Sequence, residues 1–151
     1  PAAVGESMNC LVSHKNTVAS KKNEVIKLFS YSGKTIFLQN ENEIDKTTAV
    51  SGSGPGFVFN LMDAMQKAAM SLGFSKVTAE LLVEQTFKGS IDLLSRSKMS
   101  AEELVKTVAT KGGTTEAGLY IMKKNKIHKI FVDTLNTSYK KAKDQGKKNA
   151  K

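Results

Sequence analysis

Residues 110–116 read Thr110-Lys111-Gly112-Gly113-Thr114-Thr115-Glu116. Apolar residues recur at helical spacing on both sides, so the stretch breaks one helix and starts another. Two glycines let the backbone come close to something, and two hydroxyls follow where the next helix begins. A helix start of this kind offers N–H groups without intrahelical acceptors at the positive end of the helix dipole, which is what a carboxylate or phosphate needs. The local pattern also fits a plain connection, with Gly112 and Gly113 ending one helix and Thr114 or Thr115 capping the next.

Working outward, the chain beyond residue 46 reads as helices throughout. Ser51-Gly52-Ser53-Gly54-Pro55-Gly56 leads into a helix, with Pro55 suited to a first turn where its missing N–H costs nothing. Phe57, Leu61, Met65 and Ala69 mark one face, joined by Val58, Met62 and Leu72, and Gly73 closes the segment. Apolar over more than half its circumference, this helix is expected to be buried and central. Ser75 is a cap for a second long helix with Ala79, Leu82, Val83, Thr86, Phe87, Ser90, Ile91 and Leu94 on its buried face. Gly89 and Ser90 within it suggest a close helix–helix contact. Ser100-Ala101-Glu102-Glu103 is a capping box opening a helix over 101–109. A short helix over 115–123 follows the glycine turn and ends at Asn125. A last one, organised by Ile127, Ile130, Phe131, Leu135 and Ser138, is expected to fray into a lysine-rich tail.

The first 46 residues differ. Met8–His14 and Lys34–Gln39 have the apolar, β-prone character of short strands, with a helix between them carrying Val25, Ile26 and Phe29, capped by Ser20 and stopped at Ser32-Gly33. Strand, helix, strand normally belongs to a larger parallel sheet. Asn40 to Lys46 is expected to be a polar connector, with the domain boundary at or just after it.

Bulk properties narrow the classes. The chain has 151 residues, is 40% hydrophobic and carries a net charge of +9. No apolar run is long enough to span a bilayer and no secretory signal pattern is present, so a cytoplasmic protein without membrane association is expected. One cysteine, Cys10, and two histidines, His14 and His128, provide neither a disulfide nor a metal cluster. Six lysines at 140, 141, 143, 147, 148 and 151, set against Asp144, account for five of the nine net charges. With Arg96 the only arginine, this reads as a solvated basic tail rather than a nucleic-acid site. No Ser/His/Asp or Cys/His set can be assembled, so any chemistry would come from a cofactor. The 51–56 loop matches neither the full dinucleotide fingerprint nor a Walker loop.

The run Thr48-Ala49-Val50-Ser51-Gly52-Ser53-Gly54-Pro55-Gly56-Phe57, then Leu72-Gly73, then Val108-Ala109-Thr110-Lys111-Gly112-Gly113-Thr114-Thr115-Glu116-Ala117-Gly118-Leu119 resembles the pyrroline-5-carboxylate reductase family. Pro1-Ala2-Ala3-Val4-Gly5-Glu6 looks like the continuation of that family's Met-Pro-Asn-Thr signature. The resemblance implies a mainly α chain: residues 1–46 as a β-α-β remnant of a Rossmann-like dinucleotide-binding domain, and 47–151 as an all-helical dimerisation and substrate-binding domain with a basic tail. It implies reduction of 1-pyrroline-5-carboxylate to L-proline with NADPH or NADH, in a homodimer or higher oligomer. Thr110, Gly112, Gly113, Thr114 and Thr115 would bind substrate, the carboxylate on the amides of Gly113, Thr114 and Thr115. The Thr115 hydroxyl, the catalytic candidate, would hydrogen-bond the ring nitrogen. Ser53, Gly54 and Pro55 would border the nicotinamide. Thr110 and Lys111 stand where the family usually has Ser and Pro, and Gly56-Phe57 where Ala-Tyr is common. The rivals are a helical dimerisation module without catalysis and a basic nucleic-acid-binding protein.

The family's glycine fingerprint, its pyrophosphate site and its ribose-reading residue are absent from these 151 residues. The chain by itself is therefore expected to bind neither NADPH nor NADH usefully. Micromolar binding by calorimetry would contradict that reading.

Overall fold

A computed structural model describes residues 1–149; Ala150 and Lys151, the end of the expected basic tail, lie outside the described residues. Two compact units emerge, one formed by residues 1–57 with 132–151 and the other by residues 58–131.

In the first unit, β1 (Ser7–Val12) and β2 (Gly33–Leu38) pair in parallel, Ser7 opposite Gly33 and Val12 opposite Leu38, with α1 (Ala19–Phe29) as the crossover. The strand–helix–strand reading is met. The start of the pairing depends on Gly33, whose φ is 145° and where a Cβ would collide with the backbone of Ser7. Asn9 ties β1 to the turn after α1: its amide donates to Ser32 Oγ at 3.1 Å, and its Oδ1 accepts from Ser7 Oγ at 3.0 Å.

Two local expectations need correcting here. Ser20 does not cap α1; the N-cap is Val18, which makes no side-chain bond, and Ser20 lies within the helix. The expected polar connector is helical, with α2 over Asn42–Thr47 running into a π-helical stretch over Thr48–Gly52. Its acidic residues Glu43 and Asp45 fall in the first turn of α2, where the helix dipole favours them.

The next helix, α3, runs over Gly54–Ser71, with Pro55 in its first turn as expected. It ends in a Schellman motif. Gly73 takes φ 101°, its N–H donates to Met70 O at 2.9 Å, and the Phe74 N–H donates to Ala69 O at 3.4 Å. Ser75 caps α4 (Lys76–Arg96) by accepting the Thr78 N–H at 3.2 Å. The capping box at the start of α5 (Ala101–Val108) is complete: Glu103 Oε2 accepts the Ser100 N–H at 2.7 Å, and Ser100 Oγ accepts the Glu103 N–H at 3.2 Å. α6 covers Thr114–Lys124 with Asn125 at its C-cap, as expected. The last helix, α7, covers Ile127–Asn149, so the lysine-rich stretch up to Asn149 continues the helix instead of fraying.

Burial departs most from expectation. Among the described residues only Ala49, Ala79 and Val83 are buried apolar residues. α3 buries none of its residues, with Phe59 66% exposed, so within one chain it is not a buried central helix. On α4 two of the eight residues of the expected face are buried within one chain, and Phe87 is half-buried. Ala79 and Val83 are covered, while Leu82, Ile91 and Leu94 are exposed, Ile91 by 60%. Within one chain Gly89 opens onto free space. The physical reason is that hydrophobic periodicity reports which face wants to leave water and says nothing about which chain covers it.

The Ser100 N–H, then the Ser100 hydroxyl, hold the Glu103 carboxyl below its ordinary value of 4.5. A depressed folded pKa means stabilisation that is complete above the unfolded value and lost as pH falls through the folded one. Protection of the Ser100, Glu103 and Leu104 amides, which carry the bonds of the cap, should therefore decline on acidification below 4.5. In Glu103→Ala it should be low at every pH; hydrogen exchange followed by NMR reads both.

Candidate functional site

The 110–116 loop lies in the second unit. Its core is a four-residue turn in which the Gly113 N–H donates to Thr110 O at 3.0 Å. Gly112, at the third position, has φ 75°, and Lys111 before it is not at positive φ, so the turn has the geometry of type II. The two glycines fit the turn for separate reasons. Gly112 must accept a left-handed conformation. Gly113 is hemmed in, because a Cβ there would lie 2.7 Å from Thr110 Oγ1 and 3.0 Å from Thr110 O.

The turn delivers the chain into α6 with Gly113 as N-cap, extended at φ −81° and ψ 166°, and without a side-chain cap. Neither Thr114 nor Thr115 is the cap, contrary to one sequence reading. They are the first two residues of the helix, because the turn closes a residue earlier than a threonine cap would need. The Ala117 N–H is the first to find an acceptor across the helix start, Gly113 O at 3.2 Å. The N–H groups of Thr114, Thr115 and Glu116 have no acceptor among the described residues. That of Gly113 is already engaged in the turn. The Thr115 hydroxyl is exposed and has no partner among the described residues.

Thr110, Gly112, Gly113, Thr114 and Thr115 thus come together in one loop. The side chain that sequence reading missed is Glu116, whose Oε2 accepts the Gly112 N–H at 2.7 Å. Its position three residues after the N-cap was the available signal. The arrangement offers an anion two unshared backbone donors on the hydroxyl-bearing residues, at a helix start where the dipole favours negative charge.

The 51–56 loop belongs to the first unit. The Ser53 N–H donates to Thr48 O at 2.8 Å, and the Gly56 N–H to Ser53 O at 3.0 Å, carrying the chain from the π-helical stretch into α3. Ser138 of α7 donates its hydroxyl to Ser53 Oγ at 3.0 Å, which anchors this loop to the last helix. A Cβ on Gly54 or Gly56 would meet nothing within 4 Å, so Ser53, Gly54 and Pro55 present backbone that a flat group can approach. In this respect the residues fit the edge of a nicotinamide. A cavity of about 220 Å³, lined by Met8, Cys10, Ile44, Thr47, Thr48, Ser51 and Gly52, opens beside it. No group of three or more His, Cys, Asp or Glu able to hold a metal occurs among the described residues. No described helix is long and apolar enough to cross a membrane.

Residues 41–145 match the family described as pyrroline-5-carboxylate reductase dimerisation. Over 141 residues the chain is 32% identical to pyrroline-5-carboxylate reductase 2 of Bacillus subtilis (strain 168), covering 93% of this chain and 49% of that protein. It is similar to the solved structure of a pyrroline-5-carboxylate reductase from Coxiella burnetii, with a TM-score of 0.91 and 32% identity, covering 94% of this chain and 53% of that one. A Plasmodium falciparum pyrroline carboxylate reductase, solved with NADP bound, superposes with a TM-score of 0.85 at 29% identity, covering 95% of this chain and 54% of the other. The chain spans about half the length of the curated relatives it matches.

The type II turn predicts the effect of restoring the family's usual residue. Proline at the second position of such a turn presets φ, and the Lys111 N–H has no acceptor to lose among the described residues. Lys111→Pro should stabilise the helical unit by about 0.4–1 kcal/mol, through a less free unfolded chain. Urea denaturation measures it, and a loss of stability would show that this turn assignment is wrong.

Proposed function

The chain belongs to the pyrroline-5-carboxylate reductase dimerisation family, and from that premise we propose that it is the substrate-binding and dimer-forming part of an NADPH- or NADH-dependent reductase. The reaction is reduction of the C=N bond of 1-pyrroline-5-carboxylate to L-proline, the last step of proline biosynthesis, in the cytoplasm. Residues 1–46 are then the end of a dinucleotide-binding domain, and 47–151 the dimerisation and substrate-binding domain.

The observation that carries this reading is the pair of unshared N–H groups on Thr114 and Thr115 behind a closed glycine turn, with the Thr115 hydroxyl free beside them. The substrate's carboxylate binds these donors, with Thr110, Gly112 and Gly113 shaping the loop beneath it. Anchoring the carboxylate fixes the ring, and the Thr115 hydroxyl hydrogen-bonds the ring nitrogen, which gains a proton as the C=N carbon is reduced. The dinucleotide, when bound, supplies the hydride, its nicotinamide end bordered by Ser53, Gly54 and Pro55. The protein's part is placement.

Homodimer formation, alone or within a higher oligomer, follows from the same reading. The exposed apolar side chains on α3 and α4 call for a cover, and a second copy offers one. An interface of the obligate class, burying more than roughly 2,000 Å² in total, would make folding depend on protein concentration.

Two measurements test the proposal. In a polypeptide joining this chain to a complete dinucleotide-binding domain, Thr115→Ala should lower kcat by about 100-fold and leave the sedimentation coefficient unchanged. Failure of the unmutated protein to oxidise NADPH or NADH with 1-pyrroline-5-carboxylate would overturn the assignment, as would full activity of the variant. A folded monomer at micromolar concentration would overturn the dimer.

A further inference from the structure

The loop assigned to bind a carboxylate contains a carboxylate of its own. Glu116 is the third residue of α6, and its Oε2 accepts the Gly112 N–H at 2.7 Å. A glutamate at this position ordinarily completes a capping box by accepting the N-cap N–H, as Glu103 does with Ser100 at the start of α5. At α6 that arrangement is unavailable. The N-cap is Gly113, which has no side chain to return the bond and whose N–H is given to Thr110 O. Glu116 reaches one residue further out and so ties the turn, not the helix start.

Two hydrogen bonds then fix the loop. One closes the turn on itself, from the Gly113 N–H to Thr110 O. The other fastens the turn to α6, from Gly112 to Glu116. Gly112 takes φ 75°, a conformation open to it because it lacks a Cβ, and the second bond is made at it. The bond is short and charge-assisted, the stronger kind.

We propose that Glu116 is a positioning residue for carboxylate binding: it holds the 110–113 turn against the first turn of α6, so that the Thr114 and Thr115 N–H groups stay in place as unshared donors. This rests on the reading of the loop as the substrate-carboxylate site. The arrangement has an electrostatic cost, since a fixed negative charge beside an anion site repels the ligand. That cost makes the role testable, because positioning and charge have opposite signs. Glutamine can accept the Gly112 N–H without the charge; alanine removes both.

The test uses the 151-residue chain, with L-proline as probe and L-prolinamide as the control lacking a carboxylate. Glu116→Ala should speed Gly112 amide exchange by about 10-fold or more and raise the Kd for L-proline by about 5-fold or more. Glu116→Gln should restore Gly112 protection and bind L-proline as tightly as the unmutated chain or more tightly. L-prolinamide should bind weakly to all three proteins and not distinguish them. If alanine leaves both quantities unchanged, Glu116 positions nothing; if alanine and glutamine tighten binding alike, it acts only through its charge; either result overturns the proposal. If the unmutated chain shows no preference for L-proline over L-prolinamide while Gly112 exchange still depends on Glu116, the carboxylate-site reading fails and the binding role fails with it; the tie between turn and helix stands as a feature of the fold alone.

Discussion

A helix that is apolar around more than half its circumference has to be covered, and within this chain α3 is not. The second unit hides only Ala79 and Val83, two small side chains, while Phe59, Ile91 and other large apolar residues remain in water. At about 25 cal/mol per Å² of apolar surface, leaving such faces exposed forfeits the term that normally holds a domain together. The secondary structure is nevertheless well terminated. Ser75 caps α4, Ser100 and Glu103 cap α5, and Gly73 closes α3. Helices with sound ends and bare faces are what a family of dimerisation domains leads one to expect, and the proposed second copy supplies the missing half of the core.

The same constraint bears on the candidate site. With so little packed core in the unit, the 110–116 loop takes its shape from backbone hydrogen bonds and the steric demands of its own residues. Thr110 O closes the turn, Gly113 is wedged against Thr110, and Glu116 reaches back to Gly112. Local bonding of this kind makes the donors at the start of α6 available without support from distant side chains. It also explains how the turn accommodates Lys111 where the family usually has proline. The second position of a type II turn needs a negative φ, which lysine adopts at an entropic cost in the unfolded chain and without a clash in the folded one.

How far the sequence could be read depends on the range of the forces involved. The caps at Ser75 and Ser100, the stop at Gly73 and Asn125, and the parallel strand–helix–strand unit are settled within a few residues of the signal, and all were legible. Ser20 is a plausible cap by type, yet the helix starts at Ala19 with Val18 extended before it, because a residue's capping tendency does not by itself decide where the chain turns. The 40–46 segment resembles a connector since it is polar, but a polar segment with acids in its first turn can also be a short helix. Thr114 and Thr115 are neighbours in one loop, as the sequence pattern implies. Their place inside α6 depends on the turn closing at Gly113, and the role of Glu116 depends on that closure in turn. Burial was the least legible property, because it depends on surfaces far away in the sequence or on another chain.

The two glycine-containing loops differ in a way that bears on what each is for. At 112 and 113 the turn itself favours glycine, through a left-handed φ at one and close Thr110 atoms at the other. At 54 and 56 it does not: both residues lie in the first turn of α3, where a Cβ would touch nothing. Glycine in a helix costs up to about 1 kcal/mol relative to alanine, a cost that intrachain sterics do not explain at these positions. At Gly54 the open space fits the proposed approach of a nicotinamide beside Ser53, Gly54 and Pro55; at Gly56, where the resemblance puts alanine in other members, no such approach is needed. The second loop is shaped by its own turn, whereas at Gly54 and Gly56 the chain leaves open space. For that reason the carboxylate site can be argued from this chain's hydrogen bonds, and the cofactor edge only from the room it leaves.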